Sequence, residues 1–144
     1  MVLTERGIEA VAVFTCPGRS RTDTLSFIVD TGSSASFLSW DDAVRLGIDV
    51  DSLPGSPKPI MGFGGSGTDV RYLARPCFLH FDFDATKAEQ VALPDGILVY
   101  KPARTKTKRW RTEKSLSLLG RDFMKISGWN LVVNVAKNEF YFEK

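Results

Sequence analysis

Apolar residues in this chain recur in short alternating or continuous blocks separated by turn residues, the pattern of a mainly β protein. Residues 8–14 read as a first strand, and Cys16, Pro17, Gly18, Arg19 and Ser20 supply a turn into a second strand over residues 25–29. Residues 35–38 turn apolar again. Ser39 and Asp42 then have the spacing of a helix cap, which predicts a short helix over residues 43–46 stopped at Gly47, with the local aspartates as capping residues. A Pro/Gly/Ser-rich loop covers residues 51–59. Val70, Tyr72 and Ala74 alternate in strand fashion, and residues 77–83 make another strand, with its phenylalanines inward and His80, Asp82 and Asp84 on the other face. Leu93, Pro94, Asp95 and Gly96 form a turn before a buried strand at residues 97–100. A strand over residues 116–120, a helical turn at 122–126 and a hairpin over 131–143 complete the pattern. The strand at 25–29 with its glycine turn and the short helix at 43–46, and residues 116–126, share an order, strand then glycine turn then short helix, which suggests a coarse internal twofold repeat. The last strand alternates aromatics at a free edge, an arrangement suited to pairing with a second copy.

The 144 residues, 43% hydrophobic and 25% charged, predict a single globular domain over 1–144 with one core, too short for a two-lobed enzyme. A formal charge of +2 points to neither a nucleic-acid nor a membrane partner. The one hint of nucleic acid is local: Lys101, Arg104, Lys106, Lys108, Arg109 and Arg111 surround Trp110. Cys16 and Cys77 lack metal or redox spacing and read as buried thiols. No stretch reaches spanning length, and the first ten residues lack a signal-peptide pattern, so the expectation is a cytoplasmic protein or a soluble domain of a larger precursor.

Chemistry concentrates where the strand Phe27, Ile28, Val29 ends on Asp30, Thr31, Gly32, Ser33 and Ser34. A carboxylate at the end of a buried strand is a candidate acid or base. Gly32 allows close backbone approach, and the hydroxyls can bond local backbone groups. Two competing sites are weaker. Gly62, Gly64 and Gly67 match a dinucleotide-binding spacing, but the segment runs into a strand where that fold needs a helix. His80, Asp82 and Asp84 could form half of a metal site, although a solvated face explains them better. His80 is the single histidine, and no serine near it in sequence has the setting of an activated nucleophile.

Three features in one order carry a resemblance: the Asp30, Thr31, Gly32 corner; the glycine-rich tip Met61, Gly62, Phe63, Gly64, Gly65, Ser66, Gly67; and the turn Leu118, Leu119, Gly120, Arg121, Asp122, Phe123. Over roughly residues 8–144 the chain resembles the retropepsin-like aspartic peptidases, single-domain relatives of pepsin. The resemblance implies a closed or partly open β-barrel with one or two short helices and a β-hairpin flap. It implies an aspartic endopeptidase without metal or cofactor, acting on polypeptide substrates. Asp30 would be the catalytic acid, Thr31 would brace the active-site loops, and Gly32 would approach the water and substrate. Residues 61–67 would form the flap, and Gly120, Arg121 and Asp122 a structural turn. Because the catalytic turn occurs once, activity would require a homodimer with one Asp30 per subunit. The chain departs from the retroviral pattern at Ser34, where those relatives carry the acid that pairs with the equivalent of Arg121. A catalytically silent module that binds peptides or partners is the alternative.

Overall fold

The computed structural model describes residues 1–56, 69–84, 86–101 and 116–144. In these residues nine strands form one curled, half-barrel sheet, and a separate two-stranded ribbon closes the chain. The first strands are β1 (Val2–Thr4), β2 (Gly7–Thr15) and β3 (Asp23–Val29), joined as successive antiparallel pairs. Next come β4 (Phe37–Ser39), β5 (Asp69–Leu73), β6 (Cys77–Asp84), β7 (Lys87–Leu93), β8 (Ile97–Lys101) and β9 (Ser117–Leu119). The sheet order is β5-β8-β4-β9-β3-β2-β6-β7, with β1 beside β2.

Alternation explains which faces are buried. Ala10, Ala12 and Phe14 of β2 face inward with Leu25, Phe27 and Val29 of β3, and Leu79 and Phe81 of β6 join them. Ala43 and Leu46 from helix α1 (Trp40–Arg45) and its exit pack into this core, as does Phe123 from helix α2 (Arg121–Ser127). The ribbon of β10 (Asn130–Asn134) and β11 (Glu139–Glu143) is seated by aromatics. Trp129 meets Phe81 and Phe142, each at 5.3 Å between ring centroids, and Phe123 at 5.8 Å.

Both helices end as their sequences specify. Ser39 caps α1 by accepting the Asp42 N–H at 3.1 Å. Gly47 follows its last turn at φ 75°, and Gly128 ends α2 at φ 69°. The turn before β8 rests on Gly96, at φ 92°, where a Cβ would lie 1.8 Å from the Leu73 carbonyl oxygen.

Some elements differ from the sequence expectations. β1 is three residues long and largely exposed, so its apolar pattern is too short to register. β7 consists of Lys87, Ala88, Glu89, Gln90, Val91, Ala92 and Leu93; its first four residues favour helix, and pairing with β6 overrides them. On β6 the phenylalanines do not all point inward. Phe81 is buried, but Phe83 is 40% exposed, and Phe78 shares a face with His80 because the two are separated by a period of two. Asp42 of α1 also does more than cap, as described below.

The connection that shapes the centre of the fold is β9. It comes from far along the chain, yet it lies between the consecutive strands β3 and β4, parallel to β3 and antiparallel to β4. The segment from Asp30 to Ser36 must therefore pass over the end of β9.

Candidate active site

Asp30 follows the last residue of β3, and its N–H donates to the Leu119 carbonyl at 2.9 Å, continuing the β3–β9 pairing by one step. Its side chain is half-buried. Oδ1 accepts the Gly32 N–H at 2.8 Å, and the Asp30 carbonyl accepts the Ser33 N–H at 3.2 Å. This is an aspartate-initiated turn, the local structure that the Asp-Thr-Gly sequence favours. A Cβ at Gly32 would sit 3.0 Å from Asp30 Oδ1, so a side chain there would press on the carboxylate oxygen and shift it by a few tenths of an ångström, whereas the φ of Gly32 lies outside the left-handed range. Thr31 and Ser34 are exposed. Asp30 Oδ2 has no hydrogen-bond partner among the described residues, so one oxygen is oriented by the turn and the other is open.

A second turn clamps this one from below. Arg121 N–H donates to the Ser33 carbonyl at 2.9 Å, and Gly120 N–H donates to Ser36 Oγ at 2.9 Å. Ser36 is buried, and its hydroxyl donates to Asp122 Oδ1 at 2.6 Å while its N–H donates to Asp122 Oδ2 at 2.9 Å. Phe123 N–H is the third donor to this carboxylate, on Oδ1 at 2.7 Å. Gly120 lies so close to the first turn that a Cβ would be 2.5 Å from the Ala35 carbonyl oxygen. The roles within the Gly120, Arg121, Asp122 turn are thus divided. Glycine gives close approach, Arg121 contributes its backbone, and Asp122 contributes its carboxylate. The Arg121 side chain is exposed and makes no ion pair among the described residues.

A matching tie lies at the other end of β9. Ser117 hydroxyl donates to Asp42 Oδ2 at 2.6 Å and accepts the Ser39 N–H at 3.0 Å. Asp42 also lies 3.3 Å from Arg45, whose guanidinium reaches Asp23 at 3.1 Å. Each strand-turn-helix unit therefore contributes one serine and one helical aspartate to the other. The Ser36 and Asp42 contacts were not visible in the sequence, since their partners are 86 and 75 positions away. What was visible was the coarse likeness of the two units.

The other candidates fall elsewhere or outside. The glycine-rich tip from Met61 to Gly67 lies outside the described residues, as do the basic residues from Arg104 to Arg111 and Trp110. His80 lies 3.3 Å from Asp82 on the β6 surface, and the described residues contain no group of three potential metal ligands. Cys16 and Cys77 are free and buried next to each other; burial, with the Cys16 sulfur beside it, pushes the Cys77 thiol up from its ordinary range. None of the helices in the described residues is long and apolar enough to cross a membrane.

Residues 17–123 match a family described as Aspartyl protease, and that stretch is most of the chain. The chain belongs to the aspartyl protease family. A retropepsin-like aspartic protease from Rickettsia conorii has the same fold at 17% identity, with 97% of this chain and 85% of that chain covered and a TM-score of 0.51. An EIAV protease complexed with an inhibitor is similar at 18% identity over 92% of this chain and 99% of that chain, with a TM-score of 0.43. No curated protein matches the chain. The fold is retropepsin-like, as the three sequence features implied.

Proposed function

We propose that this aspartyl protease family member is an endopeptidase that works as a homodimer, with Asp30 of each copy forming one catalytic pair. The observation that carries the reading is the state of Asp30. One carboxylate oxygen is fixed by Gly32, and the other has no partner among the described residues. Among the described residues no second acid stands in an equivalent position. At the matching point of the second turn stands Gly120, and the nearby Asp122 carboxylate is occupied by Ser36 and Phe123. A second copy supplies the missing carboxylate across a twofold axis. The exposed Thr31 and Ser34 then flank the joint between the two turns.

Two carboxylates in close contact favour sharing a single proton, because both cannot readily be charged together. The ionised Asp30 takes a proton from a water molecule, whose oxygen attacks the peptide carbonyl carbon. The protonated Asp30 of the other copy gives its proton to the carbonyl oxygen. Collapse of the tetrahedral species breaks the C–N bond: the first Asp30 passes the proton it took from water to the amine nitrogen as it leaves, and the hydroxyl made from the carbonyl oxygen returns its proton to the other Asp30 as the carboxylic acid forms. By the resemblance, Met61, Gly62, Phe63, Gly64, Gly65, Ser66 and Gly67 contact an extended substrate. The resemblance implies backbone pairing between this segment and the polypeptide.

The test is a complex peptide library incubated from acid to neutral pH with the wild type and with Asp30→Asn, new termini being read by mass spectrometry. Cleavage by the wild type that is absent from Asp30→Asn supports the pair. No cleavage by a wild type shown to be dimeric refutes the enzyme reading in favour of a silent binding module.

A further inference from the structure

The loop from Asp30 to Ser36 belongs to neither flanking strand, so its shape depends on its anchors. Two of them, Asp30 N–H to Leu119 and Arg121 N–H to Ser33, join backbone to backbone. The third depends on side chains: Gly120 N–H reaches the Ser36 hydroxyl, and Ser36 in turn is bound through both its N–H and its O–H by Asp122. We propose that Asp122, acting through Ser36, is a positioning residue that sets the orientation of Asp30 for peptide hydrolysis. The proposal rests on the peptidase reading above.

The chemistry of the contact is restrictive. Asp122 receives donors from Ser36 Oγ and Phe123 N on Oδ1 and from Ser36 N on Oδ2, so both oxygens must accept. An ionised carboxylate is acceptor-only and fits all three. An asparagine can accept at most two of the three donors, since its NH2 would face either the Ser36 N–H or the donors on Oδ1. Ser36 is 3% exposed, so no water can easily replace a lost partner. A loop that gives way at Ser36 moves with respect to Gly120 and hence with respect to Asp30, which shares that support. Geometry errors of about 1 Å at reacting groups cost on the order of a hundredfold in rate.

The experiment compares kcat and KM per folded molecule for wild type, Asp122→Asn and Ser36→Ala on one peptide that the wild type cleaves. The expected result is a kcat lowered about ten- to a hundredfold in Asp122→Asn with KM changed by less than about threefold. Ser36→Ala, which keeps the N–H bond to Asp122 but loses the hydroxyl, should fall between it and wild type. Should Asp122→Asn not fold, Ser36→Ala alone is read in the same way. A kcat per folded molecule equal to wild type, with only the denaturation midpoint lowered, would make the contact purely structural and overturn the proposal. If the wild type cleaves nothing, the peptidase reading fails. Positioning is then read from hydrogen exchange: faster exchange of the Asp30 and Ser33 amides in Ser36→Ala, with β2 and β6 unchanged, retains the contact's control of the turn. Unchanged exchange at those amides removes it.

Discussion

The Ser117 hydroxyl donates to Asp42 Oδ2 at 2.6 Å between a strand from the end of the chain and a helix from its first third. Ser117 is fully buried and Asp42 nearly so, and the same hydroxyl takes the Ser39 N–H. Together with the Ser36–Asp122 contact, it fastens both ends of the three-residue strand β9, which by itself has little ladder to hold it. Asp42→Ala leaves the Ser117 hydroxyl and the Arg45 guanidinium without this acceptor. It should destabilise the fold by about 3 kcal/mol, and Ser117→Ala by about 1–2 kcal/mol. Urea denaturation of both variants and of the double variant checks this: the double should cost clearly less than the sum, because the two act on one contact. Additive losses would show that the hydroxyl and carboxylate do not depend on each other.

At Gly120 the two turns leave no room for a side chain. A methyl group there meets the Ala35 carbonyl oxygen at 2.5 Å and carbon at 2.7 Å, and backbone cannot rotate away as a side chain can. Gly120→Ala should cost about 3 kcal/mol and displace the Asp30 turn, so residual folded protein should have lost activity out of proportion to the stability loss. Thermal denaturation with a cleavage assay on the folded fraction checks both parts. A variant with wild-type stability would mean that the two turns are not packed as closely as described.

How much of this was legible in the sequence depends on the range of the interactions. Asp30, Thr31 and Gly32 could be read because the turn they form is local, with the carboxylate bonding two residues ahead. The cap at Ser39 is likewise written in four consecutive residues. The order of strands in the sheet was not legible, since β9 inserts between β3 and β4 from a distance that no periodicity records. For the same reason Asp42 read as a capping acid, although its carboxylate is spent on Ser117 and Arg45. β7 was missed because Lys87, Ala88, Glu89 and Gln90 carry helix propensity, and its edge position beside β6 decides otherwise. Phe83 looked like core by its side chain, and its ring does meet Phe81 and Trp129, but it stands near the end of β6 at the margin of the aromatic cluster and stays partly exposed.

Cys77 provides a pH dependence with a definite sign. Burial raises its thiol pKa, with the adjacent Cys16 adding to the effect, so the folded state holds a proton that the unfolded chain gives up near its ordinary pKa of about 8.5. Above that pH the unfolded state binds fewer protons, and stability falls as pH rises. The contribution is complete below about pH 8.5 and declines from there towards the raised folded value. Urea midpoints measured from pH 7 to 10 should fall more steeply in wild type than in Cys77→Ala. Alkylation of both cysteines in the native protein at neutral pH should be slow and should accelerate on unfolding. Rapid labelling of the native protein would contradict the burial.

The requirement for two copies of Asp30 is tested most directly by mixing subunits. Wild type and Asp30→Asn are unfolded together, refolded at varied ratios and assayed for cleavage at fixed total concentration. If each active site needs one Asp30 from each copy, activity follows the square of the wild-type fraction, falling to roughly a quarter at equal amounts because mixed dimers are inactive. Activity that falls in direct proportion, to roughly a half, would mean that one chain carries a complete site and would contradict the shared pair.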